Sequence, residues 1–259
     1  MSEFDRIDLV IDQGVARITF DHAAKRNAFD APMLAALVAA LERVAGSAEA
    51  RVAVLAGRGG FSAGADFDAL TQGGDFTPCM VELDRAFTRA VAALKNLPQP
   101  VIGGLQGACM GGALQLALAC DFCLAADDLA IGIPAVKLGI VYPLASLAEL
   151  EKRIGAPAAK LFLMRAEPVD ATEAFRLGLV ERVVPAQGFE TALAELARTL
   201  AGQPPNTLRA YKRVIDALGA GHRGQAEEAR DQAYASGEMA EKLAAVRAKR
   251  AKATGRNSA

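Results

Sequence analysis

Two apolar runs in this chain end directly in glycine-rich loops. Arg51-Val-Ala-Val-Leu-Ala-Gly57 leads into Gly57-Arg-Gly-Gly-Phe-Ser-Ala-Gly-Ala-Asp-Phe67, and Pro100-Val-Ile-Gly-Gly-Leu-Gln-Gly107 leads into Gly107-Ala-Cys-Met-Gly-Gly-Ala-Leu-Gln115. Uninterrupted apolar runs of this length read as buried strands. Small residues after them let backbone approach a ligand closely. The second loop also opens a helix, whose first N–H groups have no intrahelical partner. Together the loops can aim two backbone N–H groups at one carbonyl oxygen, an oxyanion hole that needs no catalytic side chain. Either loop alone serves equally well as a tight turn that permits close packing. Neither is a G-x-x-x-x-G-K-[ST] phosphate loop or a G-x-G-x-x-G opening with an acidic partner further on.

Around these loops the pattern alternates strand and helix. Ile7–Asp12 and Val15–Phe20, separated by Gln13-Gly14, predict a hairpin. Asp30-Ala-Pro-Met starts a helix to about Ala45, with Asp30 as N-cap and Pro32 in its first turn. Residues Met80–Leu97 have helical periodicity, Gly111–Ala119 is a short apolar helix, and Phe122–Ala126 a strand. After Pro143 helices follow one another: Leu144–Ile154, Ala156–Met164, Ala171–Leu177, Phe189–Ala201, Pro205–Leu218 and Gly224–Arg250. The expectation is an α/β core over residues 1–195 and a helical subdomain over 196–259.

Composition removes several function classes. Lys+Arg number 29 and Asp+Glu 30, a balance that excludes a dedicated nucleic-acid binder. With 52% hydrophobic residues the chain is not a disordered acidic protein. Two histidines, His22 and His222, exclude a multi-histidine metal site, and both fit better as solvated or locally bonded side chains. No metal is expected. No apolar run reaches the ~18–20 residues needed to span a bilayer. The start resembles neither a signal peptide nor a transit peptide, so a cytoplasmic protein without membrane association is expected. Cys79, Cys109, Cys120 and Cys123 read as reduced, buried thiols, although Cys120-Asp-Phe-Cys123 has formal C-x-x-C spacing.

Phe61-Ser-Ala-Gly-Ala-Asp66, Gly107-Ala-Cys-Met-Gly-Gly-Ala-Leu-Gln-Leu-Ala and Cys120-Asp121 together resemble the enoyl-CoA hydratase/isomerase (crotonase) superfamily. Lys25-Arg-Asn-Ala28, Pro134-Ala-Val-Lys-Leu-Gly-Ile140, Gly178-Leu-Val-Glu-Arg-Val-Val-Pro185 and the helix around Ser236–Arg250 extend the likeness over nearly the whole chain. The resemblance implies a spiral of ββα turns followed by a C-terminal helical trimerisation region, assembled as a homotrimer or dimer of trimers. It implies acyl-CoA thioesters as substrate or ligand, with no other cofactor. The N–H groups of Ala65 and Gly112 would hold the thioester oxygen as an enolate. Lys25, Arg26, Ala28, Ala63, Asp66, Phe67 and Gly111 would line the CoA groove.

The chain departs from the family where hydratases carry two glutamates. The first stands four residues after the first glycine of Gly111-Gly112, and here that position is Gln115; the second follows Pro134, where this chain has Ala135. An amide does not exchange a proton at neutral pH, and a methyl group is neither acid nor base. Gln115 is left as a hydrogen-bonding group in the pocket. Family decarboxylases of malonyl-type thioesters have a similar Leu-Gly-Val-x-Tyr sequence, which here is Leu-Gly-Ile-Val-Tyr142. Tyr142 can orient a substrate carboxylate for loss of CO2, a reaction that needs alignment and enolate stabilisation more than a base. It can equally be a packed loop residue. Three functions follow: decarboxylation or isomerisation of an acyl-CoA, acyl-CoA binding without turnover, or hydration with a carboxylate from elsewhere, such as Asp68 or Glu82.

The near-zero charge hides an asymmetry. Six basic residues and no acids lie from Lys242 onward, so the tail is +6 and the body −7. A charge run is ordinarily a solvated face. In the family, however, this helix lies near the nucleotide end of the groove. That makes Lys242, Arg247, Lys249 and Arg250 candidate contacts for CoA phosphates. General acid–base catalysis is worth ~10²–10⁴-fold per group, so crotonyl-CoA hydration should be very slow. A hydration rate normal for the family would contradict this.

Overall fold

The computed structural model describes residues 4–71 and 76–255, with the side chains of residues 70, 71, 76, 77 and 248–255 outside the described set. Two compact units divide the chain, Met1–Ala201 and Gly202–Ala259.

In the first unit the elements run β1 (Ile7–Asp12), β2 (Val15–Phe20), α1 (Ala31–Ala45), β3 (Val52–Gly57), α2 (Phe67–Thr71), α3 (Phe76–Asn96), β4 (Val101–Leu105), β5 (Ala108–Met110), α4 (Gly112–Leu118), β6 (Phe122–Ala126), β7 (Ala130–Gly132), α5 (Leu144–Ile154), α6 (Ala156–Arg165), β8 (Val169–Asp170), α7 (Ala171–Leu177), β9 (Arg182–Val184) and α8 (Phe189–Ala201). The hairpin β1–β2 closes at Asp12↔Val15, with Gln13 and Gly14 both at positive φ, as a two-residue turn between right-twisted strands requires.

The strands form two sheets. The larger has the order β1-β2-β3-β4-β6-β9, antiparallel only at the hairpin; the smaller has the order β5-β7-β8. Successive turns of chain lay one strand on each sheet. β3, β4 and β6 stack in parallel on the large sheet, while Ser62, Cys109 and Ile131 stack in parallel on the small one. This repeated step is the ββα spiral. Helix α1 buries Met33, Leu34, Leu37, Leu41 and Val44, spaced at three and four residues, against α3 and β1. Phe20 and Phe61 meet edge to face, 5.6 Å apart, inside the core.

Three sequence expectations need correction. The glycine-rich loop from Gly57 runs straight into a helix, α2, which begins at Phe67. The region after Pro143 holds two further strands, β8 and β9, and β5 and β7 precede it; these are two or three residues long, too short to show alternation. The long C-terminal helix is two helices.

The second unit is α9 (Pro205–Gly219), α10 (Arg223–Ala235) and α11 (Glu238–Gly255). The break between α10 and α11 falls at Ser236-Gly237, where Gly237 has φ +81. Glu238 turns back to accept from the N–H groups of Asn206 and Thr207 (both 2.9 Å) and so caps α9. Among the described residues no helix is long and apolar enough to cross a membrane.

Asp30 caps α1 by accepting from Met33 N–H at 3.0 Å, and Arg6 clamps the same carboxylate at 2.7 and 2.9 Å. Desolvation pushes this carboxyl up, but Arg6 and the Met33 N–H outweigh it and hold the group below its usual 3.8. The folded chain therefore releases this proton more readily than the unfolded one. The resulting stability is complete above the unfolded value and is lost as pH falls through the folded one. Asp30→Asn should cost about 1 kcal/mol at neutral pH, and urea melts should show the deficit shrinking below pH about 4.

Candidate active site

A cavity of about 180 Å³ opens between the start of α4, the middle of α3 and the segment before α5. The sequence-predicted residues Ala63, Ala65, Phe67, Gly111, Gly112, Gln115 and Tyr142 all line it, and so does Ala135. Lys25, Arg26, Ala28 and Asp66 are not part of this lining.

The Ala65 wall is built by hydrogen bonds to a neighbouring loop. Phe29 N–H donates to Gly64 O at 2.9 Å, and Asp66 N–H donates to Phe29 O at 2.8 Å. In extended chain, alternate residues turn their polar groups to opposite sides. The bonds of Gly64 and Asp66 toward Phe29 therefore turn Ala65 N–H away from Phe29, and Ala65 lines the cavity. Gly64 has φ +94, and a Cβ there would stand 2.6 Å from Met110 O; only glycine fits.

In the neighbouring segment, where Met110 N–H donates to Ser62 O at 3.1 Å, Gly111 N–H is bonded to Gly132 O at 2.8 Å, and Gly112 begins α4. A Cβ on Gly112 would press to 3.0 Å from Phe29 Cζ and 3.2 Å from Phe87, two rings stacked 5.9 Å apart. Among the described residues neither Ala65 N–H nor Gly112 N–H has a hydrogen-bond partner.

The bracing of these loops rests on two residues that sequence reasoning did not single out as site residues. Asn27 is buried; its Oδ1 accepts from His22 N–H at 2.8 Å, and its Nδ2 donates to Arg58 O at 3.1 Å and Gly60 O at 2.8 Å. Ser62 Oγ donates to Asn27 O at 2.7 Å and accepts from Gly64 N–H at 3.1 Å. Asn27 sits at φ +55, a region asparagine tolerates better than most residues. An asparagine inside a turn-like stretch facing a glycine loop was the available signal.

The polar side chains of the cavity are few. Gln115 is buried, and its Oε1 accepts from Ser146 Oγ at 2.8 Å. Tyr142 is half-buried with its hydroxyl beside the Cα of Gly111, where a Cβ would meet it at 3.1 Å. Burial pushes its phenol up to about 12, so it holds its proton throughout the neutral range. The carboxylate that lines the cavity is Asp84, an exposed residue of α3, and not Asp68 or Glu82. Asp68 is exposed and paired with Lys25, and Glu82 lies on a separate groove between α1 and α3. Asp84 shares one face of α3 with Met80, Leu83 and Phe87, so a lone acid at helical spacing was its sequence signal.

Asp66 is the N-terminal cap of α2. Its Oδ1 accepts from the N–H groups of Asp68 and Ala69, and its Oδ2 takes Lys25 Nζ at 2.7 Å. That bond to Asp66 is the main reason the Lys25 ammonium is raised above its ordinary value. Arg26 is exposed in a left-handed turn, and Ala28 is buried. The side chains of Lys249 and Arg250 lie outside the described residues, while Lys242 and Arg247 are exposed on α11. His22 Nδ1 lies 3.3 Å from Ala28 O. Cys120 and Cys123 are buried thiols bonded to carbonyls of α4, and burial pushes Cys123 up to about 12.

Residues 10–247 match the family model described as enoyl-CoA hydratase/isomerase. The chain belongs to the enoyl-CoA hydratase/isomerase family. Within this crotonase family it is 33% identical over 214 residues to a protein of Bacillus subtilis named "Probable enoyl-CoA hydratase", covering 81% of each chain. It is 32% identical to the carnitinyl-CoA dehydratase of Citrobacter koseri, covering 78% of this chain and 77% of the relative. Among solved structures, an enoyl-CoA hydratase/carnitine racemase from Magnetospirillum magneticum superposes with a TM-score of 0.88 at 30% identity, covering 95% of this chain and 94% of the other.

Asn27→Ala should destabilise the first unit by about 2–4 kcal/mol, because it removes three part-buried hydrogen bonds to backbone groups at once. Asn27→Asp should do no better, since it sets carboxylate oxygen against the carbonyls of Arg58 and Gly60. Denaturant melts of both variants check this.

Proposed function

We propose that this protein binds acyl-CoA thioesters and stabilises a thioester enolate between Ala65 N–H and Gly112 N–H. The observation that carries the reading is that two backbone N–H groups without a partner among the described residues belong to neighbouring segments lining one largely apolar cavity. A thioester oxygen that gains charge in such a site gains two hydrogen bonds in a water-poor setting, where they are worth more than in water. Orthodox hydration is not the reaction favoured, because Gln115 and Ala135 stand where it needs two carboxylates.

The reaction favoured is decarboxylation of a malonyl-type thioester. The bond from the α-carbon to the carboxylate breaks, CO2 leaves, and the bonding pair enters the thioester as an enolate. The N–H groups of Ala65 and Gly112 hold that oxyanion, and water returns a proton to the α-carbon. Tyr142 donates its phenolic hydrogen to the substrate carboxylate and turns that group out of the thioester plane, so that the breaking bond overlaps the carbonyl π system. Its raised pKa keeps it a donor across the neutral range. Lys242 and Arg247, with Lys249 and Arg250, would meet the phosphates of CoA in a homotrimer or dimer of trimers.

A second reading, binding without turnover, is favoured by the amide at Gln115 and the methyl group at Ala135. Release of CO2 from methylmalonyl-CoA or ethylmalonyl-CoA separates the two. Turnover should fall about 10–100-fold in Tyr142→Phe, with no alkaline loss of activity near pH 10 from the phenol of the wild type. Tight acyl-CoA binding with no CO2 release from either ester would favour the second reading.

A further inference from the structure

Gln115 meets a residue outside the cavity wall. Ser146, in the first turn of α5, sends its hydroxyl hydrogen to Gln115 Oε1 at 2.8 Å. In this arrangement the hydroxyl is the donor and the amide oxygen the acceptor. With Oε1 occupied, Nε2 is the end of the amide left for the cavity, and among the described residues it has no partner.

This reverses the polarity of the wall. A glutamate at this position is acceptor-only when ionised and suits a water that gives up a proton. Gln115 held by Ser146 presents N–H. The second side-chain donor lining the cavity is the Tyr142 hydroxyl, and no cationic side chain is part of the lining. Two neutral side-chain donors in a largely apolar cavity, whose one acidic side chain among the described residues is the exposed Asp84, select for an acceptor oxygen. A ligand without one leaves both donors desolvated and unpaired, which is costly.

We infer that Ser146 is a positioning residue that locks Gln115 as a donor, and that the cavity thereby selects acyl thioesters bearing an acceptor oxygen one carbon beyond the α-carbon. The oxygen can belong to a carboxylate or a ketone. This rests on the acyl-CoA reading above and widens its substrate class from carboxylates to ketones.

The test compares acetoacetyl-CoA with butyryl-CoA, which has the same chain length and no acceptor. Calorimetry gives both dissociation constants for the wild type, Ser146→Ala and Ser146→Thr, with thermal melts alongside. The wild type should prefer acetoacetyl-CoA. Ser146→Ala should cut that preference about 3–10-fold and leave butyryl-CoA binding within about twofold. Ser146→Thr, which keeps the hydroxyl, should restore the preference. Gln115→Glu should reverse it. An unchanged preference in Ser146→Ala, or none in the wild type while both esters bind, overturns this inference and leaves the acyl-CoA reading standing. Failure of both esters to bind overturns the two together.

Discussion

The site depends on one short parallel bridge, in which Phe29 takes Gly64 O and Asp66 N–H. That pair of bonds decides where Ala65 N–H points. It also seats the Phe29 ring beside Gly112, so the same residue touches both segments that carry the donors. The bridge in turn needs its two loops at fixed separation, which Asn27 and Ser62 supply through five hydrogen bonds. A backbone donor held this way has no side-chain rotamer to lose, and its alignment is set before any ligand arrives.

What surrounds those two donors differs in kind from a proton-transfer site. Gln115 and Ala135 occupy the positions where hydratases of the family carry carboxylates, and Tyr142 keeps its proton because burial disfavours the phenolate. The carboxylate that reaches the cavity, Asp84, is exposed on the opposite helix. The local chemistry therefore favours holding charge that develops on a ligand over moving protons to or from it. Decarboxylation fits such a site because its electrons come from a bond within the substrate.

Much of the spiral was legible because its longer strands and helices carry their own signals. β1, β2 and β6, along with α1, α5, α7 and α8, fall on the residues their periodicity predicts. The strands β5, β7, β8 and β9 were not legible, since each is held by pairing with another turn of the spiral rather than by its own pattern. The break at Ser236-Gly237 was hidden inside a polar, helix-favouring run; a single residue at positive φ ends the helix there. At the site, the glycine loops and the missing glutamates could be read directly. The roles of Asn27, Ser62 and Ser146 could not, because each acts through a partner 31 to 35 residues away in sequence.

The central claim is that Ala65 N–H and Gly112 N–H share one thioester oxygen. A crystal structure of the protein with a non-reacting acyl-CoA tests it most directly. The account predicts the thioester oxygen in the cavity, within about 3 Å of both nitrogens. A thioester bound elsewhere, or an oxygen bonded to neither nitrogen, would contradict it.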